Sequence, residues 1–227
     1  EDELSNISFR VNRGETLAVI GTLCRRHHVT VVADEIHCDL TAPGRNYVPF
    51  ASVSADCRDN SITCLAPTKA FNIAGLQTAA VSVPDPTLRH KVWRGLNTDE
   101  VAEPNAFAVT AAIAAFTKGA PWLSELRAYI AENRRVTTAF VEKEIPQIHV
   151  VGGDATYLLW LCCNRLQTDS ATLAAFIRKE TGLYLSAGRA YGGDGDAFLR
   201  MNIACPRAIL EDGLGRLKKG IDAFINR

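Results

Sequence analysis

Three short runs of apolar and β-branched residues, separated by stretches with helical spacing, constrain the fold of this chain more than any other feature. They lie at residues 29–33, 61–66 and 78–83. The first run carries apolar residues on both sides of its pleat, as in a strand buried within a parallel sheet, and the other two runs also have the pattern of buried strands. Strands that alternate with helices predict an α/β layered domain, whose ligands bind beyond the carboxyl ends of the strands.

The second half of the chain is built from shorter segments after one long amphipathic helix. The spacing predicts helices over 14–28, 104–116, 122–143 and 170–181, strands near 148–151, 156–161 and 198–204, and a final helix after Pro206. This mixture beyond Pro146 predicts a smaller α+β domain. We therefore expect a larger domain over 1–118, a connecting long helix over 119–145 and a small C-terminal domain over 146–227.

Charge and hydropathy argue against two classes of partner. The 25 Lys and Arg residues balance 25 Asp and Glu residues, so the chain has no basic excess with which to neutralise nucleic-acid phosphates. No apolar run reaches the roughly 18 residues that a membrane helix needs. The acidic start is also the opposite of the basic beginning of a signal peptide. These features predict a cytoplasmic protein with no nucleic-acid or membrane partner.

Lys69 differs in its setting from the other six lysines, which lie on predicted helices or at their ends. It follows the strand over 61–66 through Pro67 and Thr68, and apolar residues come after it. An amine that is desolvated at such a turn favours Schiff-base chemistry with a carbonyl compound. The alternative is a surface lysine whose aliphatic stem packs against the sheet.

Asp34 ends the first predicted strand, which is a candidate neighbour of the strand that precedes Lys69. Together with Glu35 it could bind a metal, cap a helix N-terminus or supply an anion to a cationic ligand. His37 could contact the same ligand or lie within the core. The seven cysteines form no CxxC pair and have no histidine at zinc-finger spacing, so no metal site is expected.

Three segments carry a resemblance to a known family. They are residues 32–40 (VADEIHCDL), 66–77 (APTKAFNIAGLQ) and 198–207 (FLRMNIACPR), and 119–123 (GAPWL) adds to them. In order and spacing they resemble the MalY/PatB branch of the class I/II pyridoxal-phosphate aminotransferase family. The resemblance covers nearly everything from about residue 11 onward. It implies the fold type I architecture of pyridoxal-phosphate transferases: part of a large domain with a mainly parallel sheet, a small C-terminal α+β domain, and a homodimer.

The resemblance also implies a set of residues that bind pyridoxal 5′-phosphate. Lys69 is similar to the lysine that forms the internal aldimine, and Asp34 to the partner of the pyridine nitrogen. A carboxylate there keeps that nitrogen protonated and makes the ring a better electron sink. His37 occupies a position near the phenolic oxygen of the ring, and Thr68 offers a hydroxyl to the phosphate. Asn6 aligns with a ring-contacting asparagine, although its segment lacks the proline and glycine of the family.

Arg200 matches the arginine that pairs with the substrate α-carboxylate, a task that suits a planar fork of donors. An alternating strand places it on one face with Phe198 and Asn202. A surface salt bridge is the alternative for Arg200. Tyr191, in the glycine-rich turn that precedes this strand, is expected at the edge of the site.

The implied activity is that of a carbon–sulfur β-lyase acting on a sulfur amino acid such as cystathionine. Lys69 would remove the Cα proton, and the products would be a thiol, pyruvate and ammonia. Transamination with the same residues is the first alternative.

An alternative of another class is a non-catalytic scaffold or regulatory relative. The glycine turn and the stacking aromatic residue that the family places near its N-terminus are not found in this chain. It is therefore either a piece of a working enzyme or a relative that has lost cofactor affinity.

Overall fold

The computed structural model describes residues 16–227, which form two compact units. The first contains the described residues up to Asp39 together with Asn46–Ala120, and the second contains Leu40–Arg45 together with Pro121–Arg227. Among these residues, none of the helices combines the length and apolar character that crossing a membrane requires. Asn6 lies outside the described residues.

The described part of the first unit has a three-stranded sheet in the order β1-β2-β3 and four α-helices. In it, β1 and β2 are parallel, whereas β3 is antiparallel to β2. The predicted α/β class is confirmed, and the sheet is mixed. Its elements are α1 (Thr16–Arg26), β1 (Val31–Asp34), α2 (Ala55–Asp59), β2 (Ser61–Leu65), β3 (Ala80–Ser82), α3 (Pro86–Thr98) and α4 (Ala108–Lys118).

Two expectations about strand burial are wrong. The prediction buried both faces of the first strand, yet Val32 is 64% exposed and the strand alternates between half-buried and exposed residues. All three residues of β3 are exposed. Within residues 16–227, one face of β1 is covered and β3 pairs with β2 alone, so β3 is an edge strand there. Composition rich in β-branched residues does not by itself distinguish an edge strand from a central one.

The second unit pairs a four-stranded antiparallel sheet with helices. Its strand order is β4-β5-β7-β6, with every neighbouring pair antiparallel. Its elements are α5 (Ala120–Glu144), which begins one residue before the unit, β4 (His149–Val150), β5 (Leu158–Cys162), α6 (Ser170–Thr181), β6 (Ser186–Ala187), β7 (Phe198–Asn202) and α7 (Arg207–Ile225). The long helix that we predicted as a connector thus lies with the C-terminal elements.

The core of the second unit follows from the pleat of its strands. Leu159, Leu161, Leu199 and Met201 are buried on one face of β5 and β7. Apolar residues at helical spacing supply further buried side chains: Leu173 and Ile177 from α6, and Leu210, Leu214, Leu217 and Ile221 from α7. Residues at period 2 on the strands and 3.6 on the helices thus meet in one core.

Segment 40–45 crosses from the first half of the sequence into the second unit and is held there by Arg127 of α5. The guanidinium of Arg127 donates to the carbonyl oxygen of Thr41 at 2.8 Å, to its hydroxyl at 2.8 Å, and to the carbonyl oxygens of Ala42 and Arg45 at 3.1 and 3.2 Å. A backbone bond from Ala42 N–H to the Asp154 carbonyl adds to this attachment. One arginine side chain therefore supplies hydrogen-bond donors to three backbone carbonyl oxygens of this segment.

We expect Arg127→Lys to loosen segment 40–45, because an ammonium cannot reach several acceptors in a fixed fork. The loss of two or more charge-assisted hydrogen bonds predicts a fall of about 1–3 kcal/mol in the free energy of unfolding. Urea denaturation measures this fall, and limited trypsin digestion should show faster cleavage after Arg45. Arg135→Lys on the same helix is the control, since Arg135 forms an exposed ion pair with Glu132. Equal trypsin sensitivity in the two variants would contradict the attachment.

Candidate active site

The parallel pairing of β1 and β2 brings two chemically important residues to the same edge of the first sheet. Asp34, the last residue of β1, is in register with Cys64 of β2, and Glu35 N–H donates to the Cys64 carbonyl at 3.0 Å. Lys69 follows four residues after the end of β2. Parallel strands place their carboxyl ends together, where ligands of α/β sheets bind. The predicted neighbourhood of these two strands is confirmed.

Asp34 is exposed and holds a turn rather than a helix. Its Oδ1 accepts a hydrogen bond from the Ile36 backbone N–H at 3.2 Å. Residues 36–39 form turns, so the expectation of a helix N-cap is wrong: the chain bends before a helix can begin. The second carboxylate oxygen has no hydrogen bond to the residues that the structure describes, which leaves it available to a ligand.

Glu35 has a different role from its neighbour, because it is buried. It is 5% exposed, and its Oε1 accepts from the Phe50 backbone N–H at 2.8 Å. The Tyr47 hydroxyl also bonds to this carboxylate, and burial together with Glu35 raises the pKa of Tyr47. Burial, then the charges of Asp39 and Glu35, raise the pKa of the Cys38 thiol to about 11. This thiol is therefore protonated near neutral pH.

The opposite exposure of Asp34 and Glu35 argues against a metal centre built on this pair of acids. Within residues 16–227, no three His, Cys, Asp or Glu side chains are grouped closely enough to hold a metal ion. The part played by Glu35 could not be found from the sequence. Two acids in a row after a strand do not show which of them is buried.

Lys69 is exposed between two buried residues, Thr68 and Ala70. The turn is closed by two backbone bonds, from Phe71 N–H to the Pro67 carbonyl at 2.9 Å and from Ile73 N–H to the Thr68 carbonyl at 3.1 Å. Among the described residues the Lys69 side chain is open to solvent, as in the surface-lysine alternative, and its cofactor role stays a prediction. The Lys69 amine forms no hydrogen bond or ion pair with these residues.

An aromatic contact holds the lysine turn against α4. The Phe71 ring packs edge-to-face on Phe116 with centroids 6.1 Å apart. A side chain at Gly119, which ends α4, would collide with the Phe71 ring, so glycine permits this close approach. The Asn105 side-chain amide donates to the Leu76 carbonyl farther along the same turn. Tertiary packing of the residues that follow Lys69 therefore helps to fix its turn.

The remaining predicted cofactor residues lie on these same two turns. His37 is half-buried in the turn after Asp34, and Thr68 is buried directly before Lys69. Asp34, His37, Thr68 and Lys69 thus follow the carboxyl ends of β1 and β2 in the first unit.

Arg200 and Tyr191 lie in the second unit and contact each other. The Arg200 guanidinium carbon is 4.5 Å from the centroid of the Tyr191 ring. Phe198, Arg200 and Asn202 share the strand face opposite the buried residues, as predicted. No carboxylate of residues 16–227 lies within ion-pair distance of Arg200, so the salt-bridge alternative finds no support.

The glycine-rich turn before β7 is an ordered structure closed by an ion pair. Arg189 donates to both carboxylate oxygens of Asp196, at 2.9 and 3.1 Å. A cleft of about 300 Å³ opens beside it. Its walls are largely aromatic, and they are formed by Val151, Trp160, Tyr191, Gly192, Asp194, Gly195 and Phe198.

This fold and these two turns define the class of protein. A family model described as aminotransferase class I and II matches residues 12–217, and the chain belongs to this family. Cystathionine beta-lyase PatB of Bacillus subtilis (strain 168) is 44% identical over 95% of this chain and 56% of its own length. Protein MalY of Escherichia coli (strain K12) is 31% identical over 92% of this chain and 53% of its own length. The resemblance to the MalY/PatB branch is confirmed.

Solved structures agree with this assignment. The crystal structure of cystalysin from Treponema denticola, which contains a pyridoxal 5′-phosphate cofactor, superposes with a TM-score of 0.89 at 26% identity. The match covers 94% of this chain and 54% of that one. The chain therefore spans about half the length of the relatives it matches.

We expect Glu35→Ala to destabilise the first unit, because it leaves the buried Phe50 N–H and the Tyr47 hydroxyl without their acceptor. The cost is about 1–3 kcal/mol of unfolding free energy, measured by chemical denaturation. The loss of the negative charge also lowers the pKa of Tyr47, which ultraviolet absorbance titration detects. Glu103→Ala, at an exposed position of the same unit, should change neither quantity. An unchanged tyrosine titration in Glu35→Ala would refute this role for Glu35.

Proposed function

We propose that this chain is part of a pyridoxal-phosphate-dependent carbon–sulfur β-lyase that acts on a sulfur amino acid such as cystathionine. The observation that carries the proposal is the placement of Lys69 and Asp34 after adjacent parallel strands. The 44% identity to a cystathionine beta-lyase supports the choice of reaction.

The residues at this sheet edge fit pyridoxal phosphate. The Lys69 amine and one oxygen of Asp34 have no partner among the described residues, and they supply the nucleophile and the anion that the cofactor needs. When bound, the cofactor supplies an electron sink for a carbanion at the substrate Cα. Asp34 would hold the pyridine nitrogen, while His37 and Thr68 are proposed contacts to the ring oxygen and the phosphate. Asn6 stays a prediction for the ring.

Lys69 is proposed to act twice, first as a nucleophile toward the cofactor and then as the general base that takes the Cα proton. The second role needs an uncharged amine, which a water-excluded substrate complex favours. Loss of a thiolate from Cβ, its protonation, and the addition of one water then give a thiol, pyruvate and ammonia. The same proton transfer begins transamination, so the two reactions differ in later steps.

Arg200 is proposed to bind the α-carboxylate of the substrate. A guanidinium offers two parallel donors to a carboxylate, and a hydrogen bond to a charged group contributes about 1.5–3 kcal/mol. Tyr191 is its proposed neighbour in substrate binding. These contacts select an amino acid as substrate but do not select the reaction.

Transamination is the second candidate, since the matching family model is that of class I and II aminotransferases. A homodimer and a cytoplasmic location, without nucleic-acid or membrane partners, complete the proposal.

The cofactor assignment predicts one site of covalent attachment. After incubation with pyridoxal phosphate and reduction with borohydride, we expect the added mass on the peptide that contains Lys69. Lys69→Ala should fold and lack the adduct, whereas Lys118→Ala, an exposed lysine of the same unit, should keep it. Failure of the full-length wild-type protein to form an adduct at saturating cofactor would favour a non-catalytic relative. An adduct on another lysine would overturn the assignment.

The reaction assignment predicts equal amounts of thiol and pyruvate from cystathionine. We expect Asp34→Asn to retain the adduct on Lys69. It should slow the formation of thiol and pyruvate by roughly tenfold or more, because it removes a charge-assisted hydrogen bond. Thiol reagents and a coupled pyruvate assay measure the two products. Conversion of the cofactor to its amine form without release of thiol would assign transamination instead.

A further inference from the structure

Arg200 has unused hydrogen-bonding capacity. It is half-buried on β7, and its guanidinium forms no hydrogen bond or ion pair with the residues that the structure describes. Guanidinium offers five N–H donors and no acceptor. Two other arginines of the same unit pair with carboxylates, Arg189 with Asp196 and Arg216 with Asp212, whereas Arg178 lies over the Tyr184 ring. The Arg200 guanidinium lies over the face of the Tyr191 ring. Its charge also acts on the Tyr157 hydroxyl, where it partly offsets the rise in pKa that burial causes.

This kind of contact fixes a cation without consuming its donors. The quadrupole of an aromatic ring attracts the positive charge, whereas a carboxylate partner would accept the N–H groups themselves. An arginine held by a ring therefore keeps its planar fork available for a ligand.

Tyr191 is itself supported by a second aromatic residue. Its ring packs edge-to-face on Trp160, with centroids 5.5 Å apart and planes at 85°. Trp160 also packs on Phe198 at 5.5 Å and 78°. Trp160 is the direct cross-strand partner of Arg200 in the β5–β7 pair, so the two side chains share one face of the sheet.

Two glycines allow this arrangement to form. A Cβ on Gly188 would collide with the Gly195 carbonyl and with the Trp160 ring, and a Cβ on Gly195 would collide with the Gly188 backbone. Because these two residues have no side chain, the turn that carries Tyr191 can lie close against Trp160. The ion pair of Arg189 and Asp196 closes the same turn.

We propose that Trp160 and Tyr191 are positioning residues that hold the Arg200 guanidinium in a fixed direction with its donors free, as a preformed receptor for a carboxylate. The identity of that carboxylate rests on the proposed function, in which it belongs to the amino-acid substrate. The preformed state of Arg200 is a property of this chain alone and is tested without cofactor.

The test is the NMR signal of the Arg200 Nε–Hε group in the 227-residue chain, assigned by its disappearance in Arg200→Lys. We expect this signal to be displaced by the ring current of Tyr191 and to show the restricted motion of an ordered side chain. Tyr191→Phe should preserve both features. Tyr191→Leu should abolish both, and Trp160→Leu should weaken both. Tyr184→Leu is the matched control, since Tyr184 lies under a different arginine, Arg178, at 5.2 Å.

A mobile Arg200 signal at an ordinary position in the wild-type chain would overturn the proposal, whatever the folding of the variants. So would an unchanged signal in Tyr191→Leu. With cofactor and substrate present, Tyr191→Leu should raise KM about two- to fivefold, the range expected for one cation–π contact, while kcat changes less. Tyr184→Leu should leave KM unchanged. If the full-length protein loaded with cofactor shows no turnover, the proposed function fails, and the NMR measurement still decides the positioning role.

Discussion

The parallel ladder between β1 and β2 is the constraint on which the candidate site depends. It aligns Asp34 with Cys64 and continues through the bond from Glu35 N–H to the Cys64 carbonyl, so the two strands remain in register up to their ends. A slip of one residue would exchange the faces of every side chain on one strand. After such a slip Glu35 would face solvent, and Asp34 would point inward.

Buried neighbours fix the direction of each exposed functional group. Asp34 is exposed because Glu35, next to it, is held inside by the Phe50 amide and the Tyr47 hydroxyl. Lys69 is exposed between the buried Thr68 and Ala70. Glu35 and Ala70 thus help to orient the residues that carry the proposed chemistry without having a proposed part in it. Substitution of Glu35 or Ala70 therefore bears on function through geometry, without removing a reacting group.

Elements with strong periodicity could be predicted from the sequence. The helix expected over 170–181 is α6, Ser170–Thr181, and the face shared by Phe198, Arg200 and Asn202 follows from strict alternation. The exposure of β3 and of Lys69 could not be predicted, since both depend on what packs above them. The attachment of segment 40–45 by Arg127 was likewise hidden, because it joins residues more than 80 positions apart. Local patterns specify elements, whereas long-range contacts decide which surfaces stay open.

Arg127 and Arg200 of the second unit show how neighbouring groups distinguish a structural role from the proposed binding role in the same residue type. Arg127 donates its Nε–H and its Nη2 group to three backbone carbonyls and a hydroxyl, and so closes a loop. Arg200 donates to none of the described residues and lies over an aromatic ring instead. From the sequence alone, the two arginines have the same charge and the same arrangement of donors. The difference lies in the neighbours: carbonyl oxygens compete with a carboxylate for the guanidinium, and a tyrosine face does not.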